Sequence, residues 1–182
     1  MAGHSHWKQI KEQKGAADEK RGALFSKILR AVSAAARSES NPNFNPTLRT
    51  VIEKARAAGV PNENIARATE HARRGADTLE ALTLEAYGPE GSAILIEALT
   101  DSKNRTVMEI KTILKNSGAK WAEPGSVRWA FESKSPEDGG GWHARFPQTV
   151  TPEGARILTQ LVETLETHED IQSVITNINL QQ

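Results

Sequence analysis

Apolar positions between residues 18 and 74 recur at intervals of three and four, which is typical of amphipathic helices. This spacing predicts helices over 18–37, 46–58 and 62–74, the first capped by Asp18. The inward positions of the first helix are Phe25, Ile28, Leu29, Val32 and Ala36. Three short amphipathic helices joined by brief loops predict a helical bundle.

The second half changes period. Alternating and continuous apolar runs predict strands, and renewed three-and-four spacing predicts helices. The predicted strands are 81–87, 92–99, 125–131, 142–146 and 171–178, and the predicted helices are 103–117 and one opened by Thr151-Pro152. The whole chain is therefore expected to be α+β, with a mixed or antiparallel sheet and two helices on one face. The expected domains are 1–76, an arm with the helical bundle, and 77–182, an α+β domain.

Charge changes the picture more than overall composition does. The 182 residues include 23 basic and 23 acidic side chains, so the chain is formally neutral. Residues 1–74 nevertheless hold 14 Lys or Arg against 7 Asp or Glu, a net charge of +7, and residues 75–182 carry −7. This asymmetry indicates a polyanionic partner for the first half. Two alternatives stay open: two solvated surfaces that merely differ, or halves that attract each other.

The candidate binding residues lie within the first 30 positions, where seven cations oppose three acids. Residues 1–17 lack periodicity and are expected to form an arm. Lys and Arg neutralise phosphates, and Trp7 among them can stack on an unpaired base. The predicted nucleic-acid-binding residues are Trp7, Lys8, Lys11, Lys14, Lys20, Arg21, Lys27 and Arg30, with the last four assigned to the side of the first helix opposite its apolar positions. The alternative is a solvated face with Trp7 packed on the bundle.

Other motifs carry weaker signals for chemistry. His4 and His6 supply two ligands where zinc needs three or four, and the absence of Cys excludes disulfides, thiolate ligands and Cys nucleophiles. The segment 87–91 is interpreted as a hairpin turn instead of a phosphate cradle, because no Lys follows it. We expect no catalytic residue, metal, cofactor or small-molecule substrate.

Two further groups have competing interpretations. Asp101, Asn104 and Arg105 follow a predicted strand, where an active site can form, but a helix cap with surface ion pairs is the simpler interpretation. Trp121 and Trp129 flank Gly125 and are expected to pack on the sheet, with a partner surface as the alternative.

The opening string MAGHSHWKQIKEQKGAADEKRGALFSKI resembles the N-terminus of the YebC/PmpR family of regulators. The similarity continues over nearly the whole chain. Its further matching positions are Asn45-Pro46, Pro61, Tyr87-Gly88-Pro89, Leu99-Thr100-Asp101, Asn104-Arg105-Thr106 and Gly125-Ser126-Val127. Members of the family typically carry a third domain inserted after the strand equivalent to 125–131. The residues after Phe131 leave no room for it, so the chain resembles a short, two-domain member.

The resemblance implies a nucleic-acid-binding regulator of gene expression, described in this family mainly as a DNA-binding transcriptional regulator. A translation factor bound to RNA or the ribosome is the first alternative, because the helix 62–74 offers few residues suited to reading base edges. A protein-interaction module that binds no nucleic acid is the second. The opening residues contain no apolar signal segment, and no apolar run reaches the roughly 18 residues of a membrane span. We therefore expect a cytoplasmic protein with no membrane partner.

Overall fold

The computed structural model describes residues 21–75, 79–134 and 141–179. The chain divides into two compact units, Met1–Asp77 and Thr78–Gln182, and each has a hydrophobic core of its own. The α+β class predicted from the sequence is confirmed: helices fill the first unit, and an antiparallel sheet with two long helices forms the second.

Within residues 21–75, the described part of the first unit, the chain forms three helices. They are α1 (21–36 of the described residues), α2 (Pro46–Ala57) and α3 (Asn62–Arg73). Their apolar positions meet in one core, as the three-and-four spacing predicts. The most buried members are Ile28, Val32, Ala36, Leu48, Ile52, Ala55, Val60, Ile65 and Ala72. The predicted cap Asp18 lies outside the described residues.

Asn45 fixes the turn between α1 and α2. Its side-chain oxygen accepts a hydrogen bond from the Leu48 amide at 3.0 Å, which caps α2. Its amide nitrogen donates to the carbonyls of Ala35 and Glu39 at 2.8 and 2.7 Å. At the other end of α2, Gly59 adopts φ +81°, a left-handed conformation that glycine reaches without strain.

The second unit is built on a four-stranded sheet with the order β3-β1-β2-β6. The strands are β1 (Glu80–Tyr87), β2 (Ala93–Thr100), β3 (Lys120–Ala122) and β6 (Ile171–Thr176), and all neighbours are antiparallel. β1 and β2 form a hairpin in which Glu80 lies opposite Thr100 and Tyr87 lies opposite Ala93.

Two helices, α4 (Lys103–Asn116) and α5 (Pro152–Thr167), cover one face of this sheet, as the sequence predicts. Their inward residues Ile110, Leu114, Leu158, Leu161 and Leu165 pack in one cluster with alternate residues of β1 and β2. A smaller cluster on the other face joins Leu95 of β2 to Val127, Ala130 and Phe131. A short hairpin, β4 (Phe131–Lys134) with β5 (Gly141–Ala144), begins at this cluster.

The predicted strand over 125–131 is wrong. Gly125 takes φ +89°, and a short 3-10 helix follows at Arg128–Ala130 before β4 begins. The cause is a distant carboxylate. Glu85 of β1 is buried and accepts hydrogen bonds from the amides of Gly125, Val127 and Arg128 at 2.6, 2.7 and 3.1 Å. Those amides therefore serve a side chain and not a strand ladder, and the strand that pairs with β1 lies earlier, at β3.

Candidate nucleic-acid interface

The cations of the first unit are the basis of the binding hypothesis, and the structure describes only some of them. Three of the predicted binding residues, Arg21, Lys27 and Arg30, lie on α1. The others, which lie outside the described residues, are Trp7, Lys8, Lys11, Lys14 and Lys20. Residues 21–37 contain four Lys or Arg and no Asp or Glu, so the described part of α1 presents positive charge alone.

Helical geometry divides the α1 cations between two sides. Lys27, Arg30 and Arg37, the last of which directly follows the helix, are spaced by three and seven residues, which places them together on the side away from the buried Val32. Arg21 precedes Ile28 by seven residues, about two turns, so it lies on the same side as Ile28. The assignment of Arg21 to the opposite side is therefore wrong. The α1 cationic face consists of Lys27, Arg30 and Arg37, and the same spacing could have identified Arg37 from the sequence.

The three cations of α2 have different roles: one holds the loop before the helix, and two carry charge that no described acid neutralises. Arg49 donates to the carbonyls of Pro42 and Asn43 at 3.2 and 3.1 Å and so closes the loop before the helix. Lys54 and Arg56, in the last turn, are exposed, and neither forms an ion pair with a carboxylate among the described residues. They add positive charge to the first unit without internal neutralisation.

The arginines of α3 are neutralised within the helix. Arg67 pairs with Glu63 at 3.3 Å, one helical turn away. Glu70 accepts hydrogen bonds from Arg73 at 2.8 Å and Arg74 at 3.0 Å. The hydrogen bond from Arg73, followed by that from Arg74, lowers the pKa of Glu70 from 4.5 to about 2. These side chains bind each other, so α3 offers phosphate less charge than its arginine count suggests.

A shallow groove of about 290 Å³ lies between α1 and α3 in the first unit. Across it, the Ser33 hydroxyl donates to the Ala68 carbonyl at 3.1 Å. The lining residues are Leu29, Ser33, Asn64, Arg67, Ala68 and His71. An amide, a guanidinium and an imidazole beside an apolar surface can contact a base or a sugar, but sequence periodicity gave no sign of this groove.

The motif 101–105, considered above as an active-site position, forms an ion-pair network. Arg105 donates to Asp101 at 3.0 Å, to Glu109 at 3.3 Å and to the fully buried Asp170 at 2.9 Å. The hydrogen bond with Asp101, together with the charges of Asp170 and Glu109, raises the pKa of Arg105. The arrangement ties the first turn of α4 to the start of β6, and Asn104 remains exposed beside it.

Three groups in this network, Glu109, His168 and Asp170, place one potential metal-ligand atom each within 4.8 Å of one another. These groups already form hydrogen bonds with one another and with Arg105. The imidazole Nε2 of His168 lies 2.9 Å from a Glu109 oxygen, and its Nδ1 accepts from the Asp170 amide at 3.2 Å. The guanidinium of Arg105 contacts both carboxylates. The network is thus compensated by a protein cation.

The turn between β1 and β2 is a hairpin connection, as predicted. Glu90 holds it with φ +56°, and the Glu90 carboxylate accepts hydrogen bonds from the amide and hydroxyl of Thr151 at the start of α5. The Glu90 carbonyl accepts from the Gln148 side chain at 2.9 Å. The exposed Glu90 side chain therefore braces the start of α5.

The two tryptophans flanking Gly125 differ. Trp121 of β3 packs beside the sheet core, with the Lys111 ammonium 4.6 Å from its ring centre, as expected for a packing residue. Trp129 keeps 63% of its surface exposed, so the packing interpretation is wrong for this residue. Phe146 packs beside it, while Arg128 and Arg145 lie over the rings of Trp142 and Phe146, and neither arginine nor Phe146 was identified from the sequence. Among the helices that the structure describes, none combines the length and apolar character needed to cross a bilayer.

Comparison with known proteins identifies relatives of both units. Residues 5–75 match the family model described as the TACO1/YebC protein N-terminal domain, and residues 79–136 match the TACO1/YebC second and third domain. A protein of Prochlorococcus marinus named "Probable transcriptional regulatory protein P9303_05381" is 49% identical over 139 residues, covering 74% of this chain and 56% of that protein. A "Probable transcriptional regulatory protein" of Methylacidiphilum infernorum is 45% identical over 137 residues, with coverage of 74% and 55%.

The fold also matches a solved structure. The crystal structure of a conserved hypothetical protein, Aq1575, from Aquifex aeolicus is similar with a TM-score of 0.80 and 27% sequence identity, covering 90% of this chain and 94% of that one. The chain spans little more than half the length of the curated relatives, 56% in the case of the Prochlorococcus protein. Both curated relatives are named as probable transcriptional regulatory proteins.

Proposed function

We propose, from the premise that this chain belongs to the TACO1/YebC family, that it regulates gene expression by binding nucleic acid through its cationic first unit. The observation that carries the proposal is the charge of α1. Residues 21–37 hold four cations and no acid, and three of the cations form the α1 cationic face. Such a surface neutralises phosphates and releases condensed counterions, which favours binding to any nucleic acid backbone.

The predicted binding residues that precede Arg21 extend this surface in the proposal. Lys8, Lys11, Lys14 and Lys20 precede α1 in the sequence, and Trp7 stands among them. In the proposal these lysines contact phosphates, and Trp7 stacks on a base. The relatives' names favour DNA as the target and transcription as the regulated step.

RNA, including ribosomal RNA, is the second candidate target, and α3 supplies the observation that favours it. A protein that reads duplex DNA usually places a helix with free polar side chains in the major groove. On α3 the pairs Glu63–Arg67 and Glu70–Arg73 use the side chains that would read base edges. Phosphate-directed binding without base readout suits structured RNA as well as DNA.

The deciding experiment is crosslinking of the full chain in cells, followed by separate sequencing of the attached DNA and RNA. Recovery of a recurring DNA sequence, bound in vitro more tightly than random duplex, supports transcriptional regulation. Recovery of ribosomal RNA, with salt-sensitive co-sedimentation with ribosomes, supports the translation alternative. Recovery of neither nucleic acid contradicts the proposal and leaves a protein-interaction module.

A further inference from the structure

The second unit exposes an aromatic cluster beside two arginines. Trp129 and Phe146 keep 63% and 49% of their surfaces exposed, and their ring centres lie 5.8 Å apart with planes at 44°. The guanidinium of Arg145 lies 5.2 Å from the centre of the Phe146 ring. Arg128 lies 4.9 Å from the ring centre of the half-buried Trp142. We refer to Arg128, Trp129, Arg145 and Phe146 as the aromatic–arginine patch.

The exposed Trp129 is held in one orientation. Its indole nitrogen donates to the Ser126 carbonyl at 2.8 Å, and the hydroxyl of Tyr87 donates to the same carbonyl at 3.2 Å. The buried Glu85 carboxylate fixes the backbone of this segment through three amides, ending at Arg128. A fixed aromatic ring loses little conformational entropy when it binds, which is the property of an anchor residue.

The charge of the patch differs from that of its surroundings. Residues 75–182 carry a net charge of −7, yet Arg128 and Arg145 are exposed and pair with no carboxylate among the described residues. Arg105 and Arg156 of the same unit, in contrast, are bound to acids. Two arginines that pair with none of the described acids, close to an exposed aromatic pair, are complementary to a phosphate and an adjoining flat group.

We infer that the aromatic–arginine patch binds single-stranded nucleic acid, with an unpaired base stacked on Trp129 and neighbouring phosphates contacted by Arg128 and Arg145. The inference rests on the proposed function and adds to it a contact for unpaired bases on the second unit. The tilt between Trp129 and Phe146 leaves no parallel slot between the rings, so the base stacks on the outer face of Trp129. A base-paired helix hides its base faces within the stack, and therefore a duplex lacks this contact.

The test measures binding of the full chain to a fluorescent oligouridine of about 12 nucleotides, by anisotropy at fixed salt. Trp129→Ala should weaken binding by roughly tenfold or more, because a base–aromatic stack is lost. Trp129→Phe keeps a ring and should stay within about threefold of the parent. Met108→Ala, which removes a side chain 70% exposed on the same unit, is the matched control and should leave the affinity unchanged.

An abasic oligomer with the same backbone separates stacking from other causes. The parent and Trp129→Ala should bind it equally, since neither can stack a base on it. Equal loss on the intact and abasic strands, or no loss on either, overturns the inference. A third outcome also overturns the inference. If Trp129→Ala binds a Tyr-containing polyglutamate peptide more weakly than the parent but binds RNA equally well, the patch is a protein-docking surface.

The same measurement separates this inference from the proposed function. If the parent binds neither oligouridine nor duplex DNA at low salt, the proposed function fails and the inference fails with it. If the parent binds both and Trp129→Ala changes neither, the inference alone is overturned. Loss on the single strand with unchanged duplex binding supports both.

Discussion

Arg105 and Asp170 form a 2.9 Å ion pair between α4 and the start of β6. Asp170 is fully buried, and the same carboxylate oxygen accepts a hydrogen bond from the hydroxyl of Thr106 at 2.7 Å. The pair gives the polar residues that follow β2 a structural role. They hold α4 against the sheet. The negative charge of the buried Asp170 is compensated by the guanidinium of Arg105.

Replacing Arg105 by Gln should destabilise the second unit by about 2 kcal/mol, because a buried carboxylate loses its charged partner. The partial exposure of Arg105 keeps the cost at the lower end of the range for buried pairs. Thermal unfolding of the full chain by circular dichroism measures the change. Arg156→Gln, which removes an exposed pair with Glu153 on α5, is the control and should leave the melting temperature unchanged. An Arg105→Gln variant as stable as the parent would show that the brace contributes nothing.

Asn45→Ala should destabilise the first unit by about 2 kcal/mol, because one side chain caps α2 and also binds one carbonyl in the last turn of α1 and one in the loop that follows. Urea denaturation of the full chain, monitored by far-ultraviolet circular dichroism, measures the loss. Asn43→Ala removes an exposed amide from the same loop and serves as the control. Equal unfolding midpoints for the two variants would contradict the role assigned to Asn45.

Glu85→Gln should loosen the segment that carries Trp129. A neutral amide is a weaker acceptor than a carboxylate, and it presents one oxygen to three backbone donors. Amide hydrogen exchange at Gly125, Val127 and Arg128 should become at least about tenfold faster, equivalent to about 1.4 kcal/mol. Glu123→Gln, exposed in the same segment, should leave these rates unchanged. Unaltered protection in the Glu85 variant would rule out the carboxylate as the organiser.

Glu70 should titrate near pH 2 in the folded chain, against 4.5 for an unperturbed carboxyl, because Arg73 and Arg74 stabilise its charged form. A lowered folded pKa means that its contribution to stability is present above about pH 4.5 and is lost as the pH falls toward about 2. Carbon-13 NMR of the side-chain carboxyl measures the midpoint. In the double variant Arg73→Gln/Arg74→Gln the midpoint should return toward 4.5. A parent midpoint already at 4.5 would contradict the pairing.

The sequence predicts local features of this molecule well and distant ones poorly. The three helices of the first unit follow from their own periodicity, and the cap at Asn45 follows from the Asn-Pro pair that starts α2. The segment at 125–131 could not be predicted, because its backbone is organised by Glu85, 40 residues earlier in the sequence. The exposure of Trp129 depends on the same contact.

The candidate site shows the same division. The positive charge of α1 is visible in the sequence, and helical spacing alone could have placed Arg37 with Lys27 and Arg30. The ion pair between Glu70 and Arg73 could also have been predicted, since the residues are three apart on one helix. The aromatic–arginine patch could not have been predicted, because the β4–β5 hairpin brings Trp129 and Phe146 together.

The central claim is that the first unit binds phosphate by electrostatic attraction. The measurement that tests it most directly is the affinity of the full chain for random-sequence RNA and duplex DNA, by anisotropy, across about 50 to 200 mM salt. The affinity of the parent should fall steeply as the salt concentration rises. Binding should be almost completely lost when Lys11, Lys14, Lys20 and Arg21 are all changed to Glu, and the loss should be smaller for Lys54→Glu/Arg56→Glu. Affinity that is independent of salt, or a larger loss for the α2 double variant than for the quadruple variant, would contradict electrostatic binding by the first unit.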